Sequence, residues 1–560
     1  MGIKEAYVGA VLKAGSKKIK RLVPKGELIL EQDWKDGRGS PLTPIPPLTK
    51  EAQEELEMCS INPPFSYSRV FYDSETAEYI YESIEPPLMD KELDLLRLIK
   101  DSLGRTLEYE LDKMGNKDKE EYLKRSIESF LKTRSLRLNP QAKEKIIYYI
   151  VRDYVGYGPI DVLMSDPKIE DISCDGVNVP LFIFHQKYES IKTSVKFADE
   201  AELNSFVIQL GQRCGKQISV ATPILDGTTG EGHRVQATYS REVTTRGSSF
   251  TIRRFKEKPF TPVELIKFNT ANPEMVAYMW LAVENGKSMI ICGGTASGKT
   301  ATLNASAIFI APGKKIVTME DTREINLPHE NWIPGTTRTG VGERGPDGKA
   351  PGEIDMFELV RAALRQRPNY IIVGEVRGKE TSTMFQAMAT GHTTFSTMHA
   401  DSVKSMVTRL ENPPISTPRI LLTALNFVII QLHVRVKDSQ VRRITQIVEL
   451  VGFEPETNEL ITNTVYEWDQ RTDSFIYKGH SFILDGLMEM KNMTHEEMQT
   501  EFQQRVDLIK YCVEKDIVDY REINNLIVNY YKEPKETVTK MREEMGWSVQ
   551  VQTEGGPVGA

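Results

Sequence analysis

A chain of 560 residues is longer than one hydrophobic core organises, so roughly two to four domains are expected. Its 40% hydrophobic and 27% charged residues fit a soluble globular protein, and the formal net charge of −8 argues against a general nucleic-acid binder. The five cysteines, Cys59, Cys174, Cys214, Cys292 and Cys512, are scattered with no C-x-x-C pair, which gives no disulfide framework and no cysteine zinc site and fits a reducing compartment.

No signal-peptide apolar run opens the chain, where Lys4, Glu5 and Lys13 come early. Lys13, Lys17, Lys18, Lys20, Arg21 and Lys25 form a basic arm, read as a solvated arm or a contact with anionic lipid or an acidic partner. Pro41, Pro44, Pro46 and Pro47 mark a stiff extended linker. Partly alternating aromatic runs at 65–72 and 77–82 predict a β-hairpin. From Asp90 the period becomes helical, with further helices at 119–132 and 140–154; Gly156 to Pro159 ends this bundle. Strands are expected at 169–173, 181–185, 194–197, 232–237 and 250–255, with a helix at 202–213.

Beyond the prolines at 259 and 262, strand and helix patterns alternate. Strands are expected at 288–292, 315–319, 370–374 and 394–397, and helices at 299–309, 354–366, 380–390 and 402–411. That order implies a parallel sheet covered by helices. The most apolar window, Ile420 to Val434, is too short and too polar to span a bilayer and reads as a buried helix, so any membrane role is expected to be peripheral. The Gly/Pro loop 335–352 is long enough to suggest a functional or mobile segment; its Gly340-x-Gly342-x-x-Gly345 follows no strand and reads as coincidence. After 450, short strands lead into helices with cap sequences at Thr494/Glu497 and Asp519/Glu522, and Pro534 is expected to stop the second.

The chemistry centres on Gly293-Gly294-Thr295-Ala296-Ser297-Gly298-Lys299-Thr300-Ala301, a G-x-x-x-x-G-K-[ST] loop between an apolar strand and a helix. Glycines let amides curl around phosphate oxygens, and the helix start adds its dipole. Lys299 is suited to the β- and γ-phosphates of ATP, and the Thr300 hydroxyl to Mg²⁺. Two strands downstream end in acids, Glu320-Asp321-x-x-Glu324 and Glu375. Ligands of open α/β sheets sit at such ends, so Glu375 is placed to hold Mg²⁺ directly or through water. His392 and His399 lack metal spacing and read as a phosphate sensor or hydrogen-bond relay.

The order of P-loop, Glu320-Asp321-x-x-Glu324, Leu364 to Arg377, and Gly391-His392 to Met398-His399 resembles the Walker A, Asp box, Walker B and His box of the type II/IV secretion ATPase superfamily. The wording from Ala389 to Ser402, and Glu82 to Leu88, is most similar to its archaeal branch, the archaellum motors and type IV pilus assembly ATPases. The resemblance implies an α/β fold: a RecA-like P-loop motor domain, a preceding α+β (PAS-like) domain, a helical N-terminal region and a helical C-terminal segment. The corresponding boundaries are 1–155, 156–257, a linker at 258–262, the motor at 263–450, strands and helices at 451–545, and a disordered tail at 546–560.

It also implies roles. Glu324 matches the general base, Glu375 the Walker B acid, and His392 and His399 the His box. Arg234 and Arg253 match arginines of the domain before the motor that stabilise transition-state charge, with Arg254 a possible substitute for Arg253. The implied protein is a Mg²⁺-dependent ATPase, a homo-oligomer (hexamer) in the cytoplasm, peripheral at the inner face of the membrane. It would act on a polytopic membrane platform protein, with accessory cytoplasmic motor proteins and without nucleic acid. The tetracysteine zinc insert that many bacterial assembly ATPases of the family carry is missing, and Asn369 replaces the usual Asp before the Walker B strand. On residues alone, a P-loop nucleic-acid motor and a nucleotide-gated scaffold stay open. Lys299→Ala should abolish ATP turnover in a phosphate-release assay; undiminished hydrolysis would contradict the site assignment.

Overall fold

The computed structural model describes residues 40–547 apart from 41, 49–51, 112–115, 256–257, 339, 341–344, 346–348, 438, 455 and 457–458. The basic arm, Pro41, most of the tail and most of the 340–345 glycine match therefore lie outside the described residues. The chain divides into two compact units, Met1–Phe255 and Lys256–Ala560.

Among the described residues of the first unit, nine strands form one sheet in the order β1-β2-β3-β6-β5-β4-β9-β8-β7. They are β1 (Gln53–Asn62), β2 (Ser66–Asp73), β3 (Glu78–Ile84), β4 (Ile169–Cys174), β5 (Pro180–His185), β6 (Glu189–Lys196), β7 (Ile224–Thr228), β8 (Arg234–Thr238) and β9 (Ser249–Arg253). The predicted hairpin is β2/β3, antiparallel from Tyr67↔Ile84 to Asp73↔Glu78. β3 then pairs in parallel with β6 through Ile80↔Lys192 and Tyr81↔Thr193. The hairpin and the 156–257 segment thus share a sheet across the boundary expected at 155. β1 and β7 were not predicted: β1 carries three glutamates without clean alternation, and Asp226-Gly227 gives β7 the signature of a turn.

Helices α1 (Asp90–Leu111), α2 (Asn116–Thr133) and α3 (Pro140–Tyr154) follow the predicted periodicity. They bury Leu95, Leu96, Ile99, Leu123, Ile127, Phe130, Ile146 and Ile150 in a common core. Pro140 opens α3, and the Asn139 side chain accepts from Ala142 N at 2.6 Å, so φ restriction and capping start it together. The extended segment after β3 is pinned along this helix. Arg152 donates to both oxygens of Glu85 at 2.9 and 2.8 Å, Tyr149 OH to Pro86 O at 2.7 Å, and Lys145 Nζ to Pro87 O at 2.9 Å. The short α4 (Asp161–Ser165) and α5 (Glu200–Arg213) cover the sheet, with Leu203, Phe206, Val207 and Leu210 in its core.

The second unit holds another nine-stranded sheet, β12-β11-β13-β14-β10-β15-β16-β17-β18. β10 (Met289–Cys292), β11 (Ile316–Glu320), β12 (Trp332–Thr336), β13 (Tyr370–Val373), β14 (Thr393–Met398) and β15 (Phe427–Val436) are parallel. β16 (Ser439–Phe453), β17 (Leu460–Asp469) and β18 (Ser474–Tyr477) extend it antiparallel. The four strands expected from the alternating pattern are all present. The crossover helices are α8 (Lys299–Ala307), α9 (Met356–Leu364), α10 (Glu380–Ala389) and α11 (Val403–Glu411), preceded by α6 (Pro262–Lys267) and α7 (Pro273–Glu284).

The buried helix expected at 420–434 is instead a 3-10 turn, Arg419–Ala424, followed by β15. Residues Phe427 to Gln431 are all buried, because a strand covered on both faces reads as an unbroken apolar run. Consecutive β-branched Val428, Ile429 and Ile430 favour the strand. β16 runs through the boundary expected at 450. Helices α12 (Phe482–Lys491), α13 (His495–Glu514), α14 (Tyr520–Lys532) and α15 (Pro534–Met545) share a core with α7. The Thr494/Glu497 capping box forms as read, and Pro534 both follows the end of α14 and opens α15.

Trp280 on α7 is fully buried, stacks on Phe309 at 4.9 Å and donates Nε1–H to Tyr531 OH at 3.0 Å. Among the described residues no helix is long and apolar enough to cross a membrane. Trp280→Ala should lower stability of this unit by about 3–5 kcal/mol in denaturant unfolding, through the cavity it leaves; a loss below about 1 kcal/mol would contradict this packing.

Candidate active site

The P-loop follows β10, the strand flanked by β14 and β15. Gly293 N donates to Met398 O of β14 at 3.2 Å. On its other side a Cβ at 293 would stand 2.1 Å from Gln431 O of β15 and 2.5 Å from Ser297 Oγ, so only glycine fits. Ala296 has φ +58° and Gly298 φ +91°, which turns the loop back into α8. Among the described residues no side chain caps α8, so its first amides are suited to an anion. Gly294, Thr295 and Ala296 form an exposed rim, and Ser297 is buried.

Lys299 is buried beneath that rim, with Nζ donating to Gly294 O at 2.7 Å. Ser297 Oγ donates to the same carbonyl at 3.0 Å. Desolvation holds the Lys299 ammonium below its ordinary pKa, opposed by the charges of Glu375 and Glu324. Thr300 and Ala301, half-buried, occupy the first turn of α8. A glycine-tight loop, an uncapped helix start and a desolvated ammonium make a cradle that fits phosphate.

Glu320, the last residue of β11, is buried and organises the acidic segment. Its Oε1 accepts from Glu324 N at 2.8 Å and Ile325 N at 2.9 Å, and its Oε2 has no hydrogen-bond partner among the described residues. Burial pushes this carboxyl up to about 8, so it is largely protonated near neutrality. From α8, Asn304 Nδ2 donates to Glu324 O at 3.1 Å and its Oδ1 accepts from Asn326 N at 3.0 Å. The backbone of Glu324 is thereby fixed to both the strand end and the P-loop helix, while its side chain is exposed.

β13 ends beside β11. Gly374 N donates to Met319 O at 2.8 Å, and a Cβ at 374 would lie 3.0 Å from Glu320 Cγ. Thr397 Oγ1 donates to Gly374 O at 2.7 Å, locking this turn to β14. Glu375 pairs through Oε2 with the Arg377 guanidinium. Its Oε1 stands 3.0 Å from His399 Nε2, within ion-pair range but not aligned as a hydrogen bond. Desolvation and then the charge of Lys299 lower the His399 pKa, which keeps the ring neutral near pH 7. This carboxylate and the Thr300 hydroxyl supply hard oxygen donors suited to Mg²⁺.

His392 is placed differently. It precedes β14 at the far end of the strand, its Nδ1 3.3 Å from Pro368 O, roughly 20 Å from His399 at a strand's rise. Within this chain it does not join the P-loop cluster. In the first unit Arg234 and Arg253 are direct partners across β8 and β9, side by side on one face. Arg253 Nε donates to Asp171 Oδ1 at 3.0 Å, and Arg234 Nη2 is 3.7 Å from Asp226 Oδ2. Arg254 points away, half-buried, donating to Asp166 O and, at 2.9 Å, to Ile169 O. Its Nη1 is thus engaged with that turn, unlike the exposed Arg253.

Three residues escaped the sequence reading. Asn304 orients the acidic segment. Gln431, buried beside the P-loop, accepts from Thr302 Oγ1 at 2.6 Å. Arg442 of β16 donates Nε–H to Ala296 O at 2.9 Å. A lone Gln inside the apolar run of β15 was the available signal; Asn304 and Arg442 had none.

A parallel sheet with a P-loop on its inner strand and acids at two further strand ends defines a RecA-like P-loop protein. A sequence model of the type II/IV secretion system protein family matches residues 182–516, and the chain belongs to that family. An uncharacterized protein of Methanocaldococcus jannaschii is 37% identical over 402 residues, covering 71% of each chain. The type IV secretion system protein PtlH of Bordetella pertussis is 29% identical over 276 residues, 44% of this chain and 80% of that one. The solved ATPase DotB of Legionella pneumophila aligns at 20% identity with a TM-score of 0.35, covering 53% of this chain and 80% of that one.

Glu320 also generates a pH dependence. Its folded pKa lies above the unfolded carboxylate value, so the folded state binds the extra proton and stability falls as pH rises from about 4.5 to about 8. Glu320→Gln should flatten that slope relative to the native protein in unfolding measurements across this window. An unchanged slope would show that another group carries it.

Proposed function

We propose that the protein is a Mg²⁺-dependent ATPase, converting ATP and water to ADP and phosphate, and works as a ring motor for a type IV pilus-like filament. The observation that carries this reading is the convergence of Lys299, Glu324 and Glu375 at the ends of β10, β11 and β13. Lys299 responds electrostatically to both carboxylates. Residues 293–301 would bind the triphosphate, and Thr300 with Glu375, directly or through water, would hold Mg²⁺, which when bound neutralises phosphate charge.

Glu324 would take the proton of the attacking water. Its side chain is exposed, as is that of Asp321, and its backbone is held by Glu320 and Asn304, which limits drift of the base. Neutral His399 beside Glu375 can donate or accept one hydrogen bond without adding charge to the site. Arg234 and Arg253 present two guanidinium groups from one strand pair, suited to stabilising phosphoryl charge. His392, at the other end of its strand, would act outside the P-loop cluster of its own chain.

Family membership supports a homo-hexameric ring that pushes on a polytopic platform protein, with accessory motor proteins, at the inner face of the cytoplasmic membrane. The wording at Ala389–Ser402 and Glu82–Leu88 favours an archaellum, with assembly and rotation, or an archaeal pilus or secretion system as the machine served. Glu324→Gln should bind ATP normally and lose hydrolysis by about 10²-fold or more, and cells carrying it should lose swimming or pili. Full turnover would remove Glu324 from the role of base. Wild-type filaments in cells expressing only this variant would remove the motor role.

A further inference from the structure

We propose that Arg442 is a nucleotide-affinity residue that holds the apex of the P-loop and places positive charge beside bound nucleoside di- and triphosphates. The proposal rests on the reading of residues 293–301 as a nucleotide site.

Arg442 lies on β16 opposite His433 of β15, in the hairpin beyond the bulge at Ile430/Gln431. From there its Nε reaches Ala296 O at 2.9 Å, and its Cδ stands 3.3 Å from where a Cβ at Gly298 would be. Ala296 is the non-glycine residue of the loop with a left-handed backbone, φ +58°, a conformation L-residues hold only with outside support. A charge-assisted donor on its carbonyl is such support. Beneath the loop, Gln431 occupies the floor and binds Thr302 of α8. The antiparallel hairpin therefore grips both rim and floor of a loop carried by the parallel sheet.

Two further features separate Arg442 from a structural brace. It is only half-buried, so the core does not require it. Its Nη groups make no hydrogen bond or ion pair to another described residue. The adjacent Arg443 shows the contrast. It is buried, with Nε and Nη2 donating to Asp473 at 2.8 Å each and Nη1 to Phe268 O at 3.0 Å. A cation with a spare planar fork beside a phosphate cradle fits phosphate oxygens. Because Arg442 grips the loop's backbone, its effect should fall on ADP and ATP alike rather than on the transition state.

The test uses full-length Arg442→Ala and Arg442→Lys beside the native protein and Lys299→Ala. The readouts are Kd for Mg-ADP, KM and kcat for ATP, and the nucleotide-free Tm. Arg442→Ala should raise ADP Kd and ATP KM roughly tenfold or more, as loss of a charge-assisted bond implies. It should lower kcat at saturation far less and leave Tm near the native value. Arg442→Lys should recover part of the affinity, since an ammonium keeps the charge but not the fork. Unchanged affinities, a kcat loss without an affinity loss, or a fall in Tm that accounts for the change would overturn the proposal. Native protein that binds no ADP, or Lys299→Ala that behaves as native, would overturn the nucleotide-site reading itself. A damaged Lys299→Ala beside an indifferent Arg442→Ala would overturn the role of Arg442 alone.

Discussion

The P-loop has no slack on the side of β15. A methyl group at 293 would stand 2.1 Å from Gln431 O, while Gly293 N is tied to Met398 O. The loop is thereby held between the two strands that flank β10, and its outward curve follows from that confinement. The left-handed residues Ala296 and Gly298 then bring the chain back into α8 with uncapped amides. A preformed cradle is the useful consequence. Its donors are set before any phosphate arrives, so little ordering remains to oppose binding.

Around that cradle the acids are sorted by environment. Glu320 is buried, short of one partner and mostly protonated near neutrality, so it organises backbone rather than contributing charge. Glu324, four residues on, is exposed and suited to proton transfer. Glu375 is partly buried, with its Oε2 paired to the Arg377 guanidinium and its Oε1 beside His399. Three carboxylates of similar chemistry are thus given separate tasks by burial and neighbours. The low-dielectric surroundings of Lys299 make its response to these acids stronger than it would be in water.

Much of this was legible in sequence for a physical reason. The P-loop, Glu324, Glu375 and the parallel strands lie in local patterns of strand, turn and helix, where spacing reports geometry. β15 was misread because a doubly covered strand and a buried helix share one apolar signature over a short window. β7 was hidden by Asp226-Gly227, whose turn chemistry is local while its pairing with β8 comes from tertiary context. Arg234 and Arg253 were named by resemblance, and their direct pairing is a matter of register that no single strand reveals. Asn304 and Arg442 act across 20 and 146 residues of sequence, on Glu324 and Ala296, so only the assembled sheet brings them to their partners. The N-terminal hairpin's membership of the middle sheet was invisible for the same reason.

Lys299 Nζ, held on the Gly294 carbonyl, is the group on which phosphate binding turns. The most direct measurement is an experimental structure with Mg²⁺ and a non-hydrolysable ATP analogue. Nζ is expected to leave Gly294 O, from which it stands 2.7 Å, for the β- and γ-phosphate oxygens, with the loop backbone unmoved. A nucleotide bound elsewhere, with Nζ still on that carbonyl, would contradict it.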